Sequence, residues 1–167
     1  MRSKLIPRHD VRALGERLRA AGRRIAFANG CFEILHVGHV RFLEGAKEQG
    51  NVLVVGINSD RSVAQLKGSG RPLLGEGTRA ELVAALACVD YAVIFDDATA
   101  EPILRDLRPH VQCKGPDYTE ESVPERWVMD ELGGEVRIVG DPKDHSTRDL
   151  LADIARRARA VKSETIE

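Results

Sequence analysis

An α/β fold on a five-stranded parallel sheet is what this sequence predicts, and three observations carry the prediction. Five short apolar, β-branched runs recur along the chain. Segments with apolar residues at helical spacing separate most of them. The runs show no in–out alternation, so both faces of each strand are expected to be covered, as in sheets flanked by crossover helices. Right-handed crossovers then give a Rossmann-like three-layer sandwich.

The elements follow in order. A helix over about 8–22 opens the chain, and "RIAFAN" (24–29) is the first strand. "VRFLEGAKEQG" spaces Val40, Leu43, Ala46 and Lys47 as a helix does and stops at Gly50. "NVLVVGIN" (51–58) is the second strand, with Asp60 expected to cap the helix after it. "KGSGRPLLGEG" (67–77) holds four glycines and a proline, so it reads as a loop long enough to have a function. "TRAELVAALACVD" (78–90) puts Leu82, Ala85 and Leu86 on one helical face, and "YAVIF" (91–95) is the third strand. "EPILRDLRP" is a short helix closed by Pro109, followed by strands "HVQCKG" (110–115) and "EVRIVG" (135–140). "DLLADIARRARAVK" is an amphipathic last helix, and the tail from about 160 is expected to fray. With no internal repeat, residues 1–167 read as a single domain.

Bulk properties exclude several classes of function. A net charge of −1 gives no electrostatic reason to expect nucleic acid or an anionic membrane as partner. No apolar run approaches the ~18 residues of a membrane span, and "MRSKLIPRHD" lacks the apolar middle of a secretory signal. Cys31, Cys88 and Cys113 are odd in number and far apart, which fits free thiols in a reducing cytoplasm.

One stretch carries chemistry. After the first strand, "ANGCFEILHVGH" places His36 and His39 at the start of a helix beginning near Val37, with Gly38 between them. Unpaired N–H groups and the positive end of the helix dipole favour an anion there. Two imidazoles add donors, and a glycine allows close approach. A lone histidine is more often structural, but the pair after a strand points to phosphate. A zinc pair lacks the further Cys or carboxylate ligands such a site needs.

Several motifs agree with this. "NGCFEILHVGH" resembles the G-[TC]-F-D-x-[LI]-H-x-G-H signature of the cytidylyltransferase-like nucleotidyltransferases. "GINSDRSVAQLKGSGRP", "TRAELVAALACVDYAVIF", "CKGPDY" and "HSTRDLL" follow in that family's order, over roughly residues 24–155. The branch most similar is the heptose 1-phosphate adenylyltransferases. The resemblance implies a reaction between ATP and D-glycero-β-D-manno-heptose 1-phosphate, giving ADP-heptose and pyrophosphate. It also implies Mg²⁺ held mainly by the triphosphate, a cytoplasmic enzyme and a homodimer.

By that resemblance His36, His39 and Lys67 are the catalytic residues. Asn29, Gly30, Cys31, Phe32, Gly38, Arg79, Lys114, Gly115, Ser146 and Thr147 surround the nucleotide, with Arg79 either steering phosphate or fixing the loop. Glu33, Asn58, Arg71 and Asp117 face the second substrate. No metal-ligating set is implied, and Cys31 packs beside the triphosphate without acting as a nucleophile. The sequence departs from the family pattern at Glu33 (usually Asp), Pro116 (often Gly) and Arg148 (usually Thr). Gly140 and Asp141 stand where glycerol-phosphate cytidylyltransferases carry an arginine, which favours the heptose branch over that alternative. A non-catalytic nucleotide-binding module has no need of paired histidines. A dinucleotide oxidoreductase fits least, since no GxGxxG follows a predicted strand.

Overall fold

Each apolar run is a strand in the computed structural model, which describes residues 4–141 and 147–164. The strands are β1 (Ile25–Gly30), β2 (Val52–Asn58), β3 (Tyr91–Phe95), β4 (Val111–Lys114) and β5 (Glu135–Ile138). They form one sheet in the order β3-β2-β1-β4-β5, every pairing parallel. The helices are α1 (Val11–Ala20), α2 (Val37–Lys47), α3 (Asp60–Lys67), α4 (Glu76–Ala84), α5 (Glu101–Leu107), α6 (Arg126–Leu132) and α7 (Thr147–Glu164). A 3-10 turn, Arg8–Asp10, precedes α1.

The absence of alternation in the strands has its expected cause. Ile25 and Phe27 face α1, α5 and α6 in a core with Leu14, Leu104 and Met129. Ala26 and Ala28 face α2 and α4 in a second core with Leu43 and Val83. This second face is rich in alanine (Ala26, Ala28, Ala46, Ala80, Ala84, Ala92), so α2 and α4 can lie close to the sheet. Those helices flank the site, and close packing leaves them little freedom.

The chain leaves β1 in two directions, first to β2 and β3, then to β4 and β5. A crevice therefore opens beyond the carboxyl ends of β1 and β4, where ligands bind in open α/β sheets.

Four details differ from expectation. Lys67 is the last residue of α3, so the glycine-rich loop is shorter than 67–77. The buried face of α4 is Arg79, Ala80, Val83 and Ala84, whereas Leu82 is 42 % exposed. Small residues face the sheet; of the expected Leu82–Ala85–Leu86 face, Leu82 and Ala85 are exposed, and Leu86, beyond the end of α4, packs against the core. The helix α6 was not anticipated. The backbone of α7 is helical to Glu164, into the stretch expected to fray, and it leaves Leu150 and Ile154 exposed. Among the described residues no helix is long and apolar enough to cross a membrane.

The α1–α5 contact gives a test of this packing. A Cβ added at Gly15 would lie 2.3 Å from the Leu107 carbonyl oxygen, so one helix must move. Gly15→Ala is expected to cost ~1–3 kcal/mol in urea denaturation, as overpacking does. Gly77→Ala, with open space around the added methyl, is expected to stabilise by about 0.5 kcal/mol.

Candidate active site

β1 ends at Gly30, on the edge of the crevice. Phe32 then takes a left-handed φ of 46°, a conformation that costs a non-glycine residue ~1–2 kcal/mol. The turn sends Glu33 inward and sets the Phe32 ring edge-on to His39, with centroids 5.3 Å apart. Gly30 leaves room for that ring, since a Cβ there would meet it at 3.3 Å.

His36 is the N-cap of α2, in extended conformation, and its carbonyl accepts from His39 N–H at 2.9 Å. Its side chain does not cap the helix. The two imidazoles instead stack, centroids 3.9 Å apart and planes 25° from parallel. Burial lowers the His39 pKa to about 4, helped by the charges of His36 and Lys67 and opposed by a backbone contact with Ile34. His39 is thus neutral at neutral pH. Its Nδ1 is shut off from solvent without a well-formed hydrogen bond.

The cleft beside this pair has a volume of about 350 Å³. Eight of the expected residues line it: Asn29, Gly30, Cys31, Phe32, His39, Asn58, Lys114 and Gly115. Lys114 Nζ donates to Asn29 Oδ1 at 3.2 Å, joining the ends of β4 and β1. Burial raises the Cys31 thiol pKa, against the pull of Lys67 and Arg79, which suits a packing role.

Other residues stand differently from expectation. Glu33, expected at the substrate, is only 1 % exposed. Its carboxylate accepts from Arg71 Nη1 at 2.7 Å, Leu73 N–H at 3.1 Å and Lys67 Nζ at 3.2 Å. Burial pushes its pKa up, but the bonds from Arg71, Lys67 and Leu73 outweigh it and hold the carboxyl below its ordinary value. Glu33 therefore latches the end of α3 to the glycine-rich loop, and Lys67 and Arg71 are its partners.

Arg79, expected either to steer phosphate or to fix the loop, is fully buried and does the second. It donates to the carbonyls of Cys31, Leu74 and Asn58 and to the Asp60 carboxylate. It fixes the loop from inside and does not face the cleft. Asp60 is thereby an ion-pair partner, and Ser59 is the N-cap of α3, accepting from Ser62 N–H at 3.0 Å. The Asn58 side-chain amide donates to Ser62 Oγ at 3.0 Å. Asp117 is exposed in the turn after β4. Thr147 is the first residue of α7, and Ser146 lies outside the described residues.

Sequence reasoning missed Glu125. It occupies the N-cap position of α6, is 8 % exposed and pairs with Lys114 at 3.3 Å. The run "ERWVMDELGG" carries the signal for α6: apolar Val128, Met129 and Leu132 at helical spacing, then a glycine pair. Gly133 takes φ 70° as the C-cap. Thr99 and Tyr118 also line this side of the cleft.

A stacked histidine pair at a helix start, in a crevice at the switch point of a parallel sheet, is an arrangement suited to a phosphate group. The comparisons agree: the chain belongs to the cytidylyltransferase-like family, whose profile matches residues 27–163. It is 44 % identical over 155 residues to the bifunctional protein HldE of Pelobacter propionicus, covering 93 % of this chain and 32 % of that one. The HldE of Geobacter metallireducens is 48 % identical over 138 residues, covering 83 % and 28 %. The chain thus spans about a third of the length of the curated relatives it matches. Among solved structures, the lipopolysaccharide core biosynthesis protein from Thermoplasma volcanium GSS1 superposes with a TM-score of 0.59 at 30 % identity. That match covers 71 % of this chain and 95 % of the other.

Two outcomes test the site's construction. Arg79→Leu leaves three buried carbonyls and Asp60 without their donor, so it is expected to cost ~3 kcal/mol or more of stability in urea denaturation. A variant of normal stability that loses only activity would contradict the buried role. For His39, a folded pKa of about 4 lies below the ordinary 6.5, so the unfolded chain binds the extra proton between those values. Stability is then intact above pH 6.5 and lost as pH falls toward 4, by about 2–3 kcal/mol. His39→Asn should flatten that part of the stability–pH curve.

Proposed function

We propose that the chain is an adenylyltransferase joining ATP to a heptose 1-phosphate, with ADP-heptose and pyrophosphate as products. The observation that carries this reading is the stacked His36–His39 pair at the start of α2, with His39 neutral, beside a cleft at the carboxyl ends of β1 and β4. The family membership and the HldE relatives support a nucleotidyl transfer to this class of sugar phosphate.

The chemistry follows from the groups present. A phosphate oxygen of the sugar 1-phosphate attacks the α-phosphorus, and the bond to the β-phosphate oxygen breaks. The nucleophile arrives ionised, so the reaction needs no side-chain nucleophile. What it needs is charge stabilisation at a five-coordinate phosphorus. The helix N-terminus and the two imidazoles supply donors there. A neutral imidazole offers one donor, and the negative charge of bound phosphate favours a second proton on it. Lys67 at the end of α3 and Arg71 in the glycine-rich loop, both paired with Glu33, are the cations this reading assigns to the leaving pyrophosphate. Among the described residues no group of three His, Cys, Asp or Glu stands ready to hold a metal. In this reading Mg²⁺ comes with the nucleotide and is held by triphosphate oxygens, whose charge it lowers.

Pyrophosphate release should be measured with ATP, CTP, GTP and UTP against heptose 1-phosphate, glycerol 3-phosphate and other sugar phosphates. ATP with heptose 1-phosphate is the expected pair, and a preference for CTP with glycerol 3-phosphate overturns the reading. His36→Ala and His39→Ala should each lower kcat by ~10²–10³, the usual effect of losing one transition-state donor. ATP affinity should change less than turnover in both variants.

A further inference from the structure

On the side of β4 the described lining holds one cation and one anion, Lys114 and Glu125, whose charges cancel across 3.3 Å. The Glu125 carboxylate also takes Gln112 Nε2 at 3.3 Å and Ala100 N–H at 3.4 Å. All three contacts are long beside the ~2.7–2.9 Å typical of charge-assisted bonds. A carboxylate this buried is under-satisfied. Beside it Gln112 Oε1, fully buried, accepts from nothing. Asn29, Thr99 and Tyr118 complete a polar wall, with the Tyr118 ring 5.6 Å from Lys114 Nζ.

A phosphate placed here would gain Lys114 but meet the charge of Glu125. A hydroxyl group both donates and accepts, so it can complete the bonds of the carboxylate and the ammonium together. We propose that the Lys114–Glu125 side of the cleft binds the hydroxyl groups of the sugar phosphate, with Glu125 as acceptor and Lys114 as donor. The phosphates then lie toward α2. The inference rests on the sugar-phosphate reading above and assigns Glu125 a role in substrate specificity.

The test uses the intact chain, Glu125→Gln and a series of monodeoxy sugar phosphates. Glu125→Gln should raise the KM for the sugar phosphate tenfold or more and leave the ATP dissociation constant within about twofold. In the wild type, one monodeoxy analogue should lose at least tenfold in kcat/KM, and Glu125→Gln should be indifferent to that same deletion. A merely structural glutamate would give no such selective loss. An unaltered KM, equal losses for ATP and sugar phosphate, or a wild type that treats all monodeoxy analogues alike would each overturn the proposal. The last comparison needs no variant, so a Glu125→Gln that fails to fold leaves the test standing. If the wild type turns over glycerol 3-phosphate and not the heptose, the substrate reading fails, and the same KM-against-ATP comparison made with that polyol decides the subsite.

Discussion

Burying a guanidinium strips its hydration at a cost of several kcal/mol unless its donors are matched. Arg79 has no solvent contact, and the groups that match it come from four places in the chain. Cys31 follows β1, Asn58 ends β2, Asp60 begins α3 and Leu74 lies in the glycine-rich loop. One charge therefore fixes the loop that leads to the histidines against the loop that bears Arg71. A lysine could not replace it, because its compact head lacks the planar fork that reaches several acceptors at once. The histidine geometry depends on this joint although the arginine touches neither imidazole ring.

Glu33 works against the same frame from the other side. It lies two residues beyond Cys31 and draws in Lys67, Arg71 and the Leu73 amide. One carboxylate against two cations leaves the loop with a positive surplus. The extra methylene relative to the usual aspartate lengthens the reach of this latch from a buried backbone. In the proposed function, a triphosphate would compete with Glu33 for the same cations, so loop packing and anion binding would draw on one set of bonds.

The sheet was legible because its strands are buried on both faces, which forces continuous apolar runs that nothing else in a soluble chain requires. The histidine pair was legible because helix start, glycine and imidazoles coincide in eleven residues, "NGCFEILHVGH". What could not be read was direction. An arginine at a helix start looks the same in sequence whether it points at a phosphate or, as Arg79 does, into the protein. Glu33 looked like a substrate contact because its neighbours in space come from a loop more than thirty residues away. Glu125 was missed for a related reason: its partners Lys114, Gln112 and Ala100 lie on other elements, and α6 is only seven residues long.

The stacked histidines show why His39 is kept neutral. Two full charges 3.9 Å apart repel by about 4 kcal/mol even at an effective dielectric constant of 20. Doubly protonated imidazoles would force the stack open, and this repulsion adds to the burial that chiefly lowers the His39 pKa. In the proposed function, a phosphate beside the rings at the start of α2 would reverse the balance, since its charge would offset the proton that burial of His39 disfavours. Affinity for the extra proton thus rises only as negative charge arrives, and most steeply where that charge is greatest, at the five-coordinate phosphorus. A permanently charged pair would hold ground-state ATP more tightly, and that uniform part of the binding would gain nothing in rate.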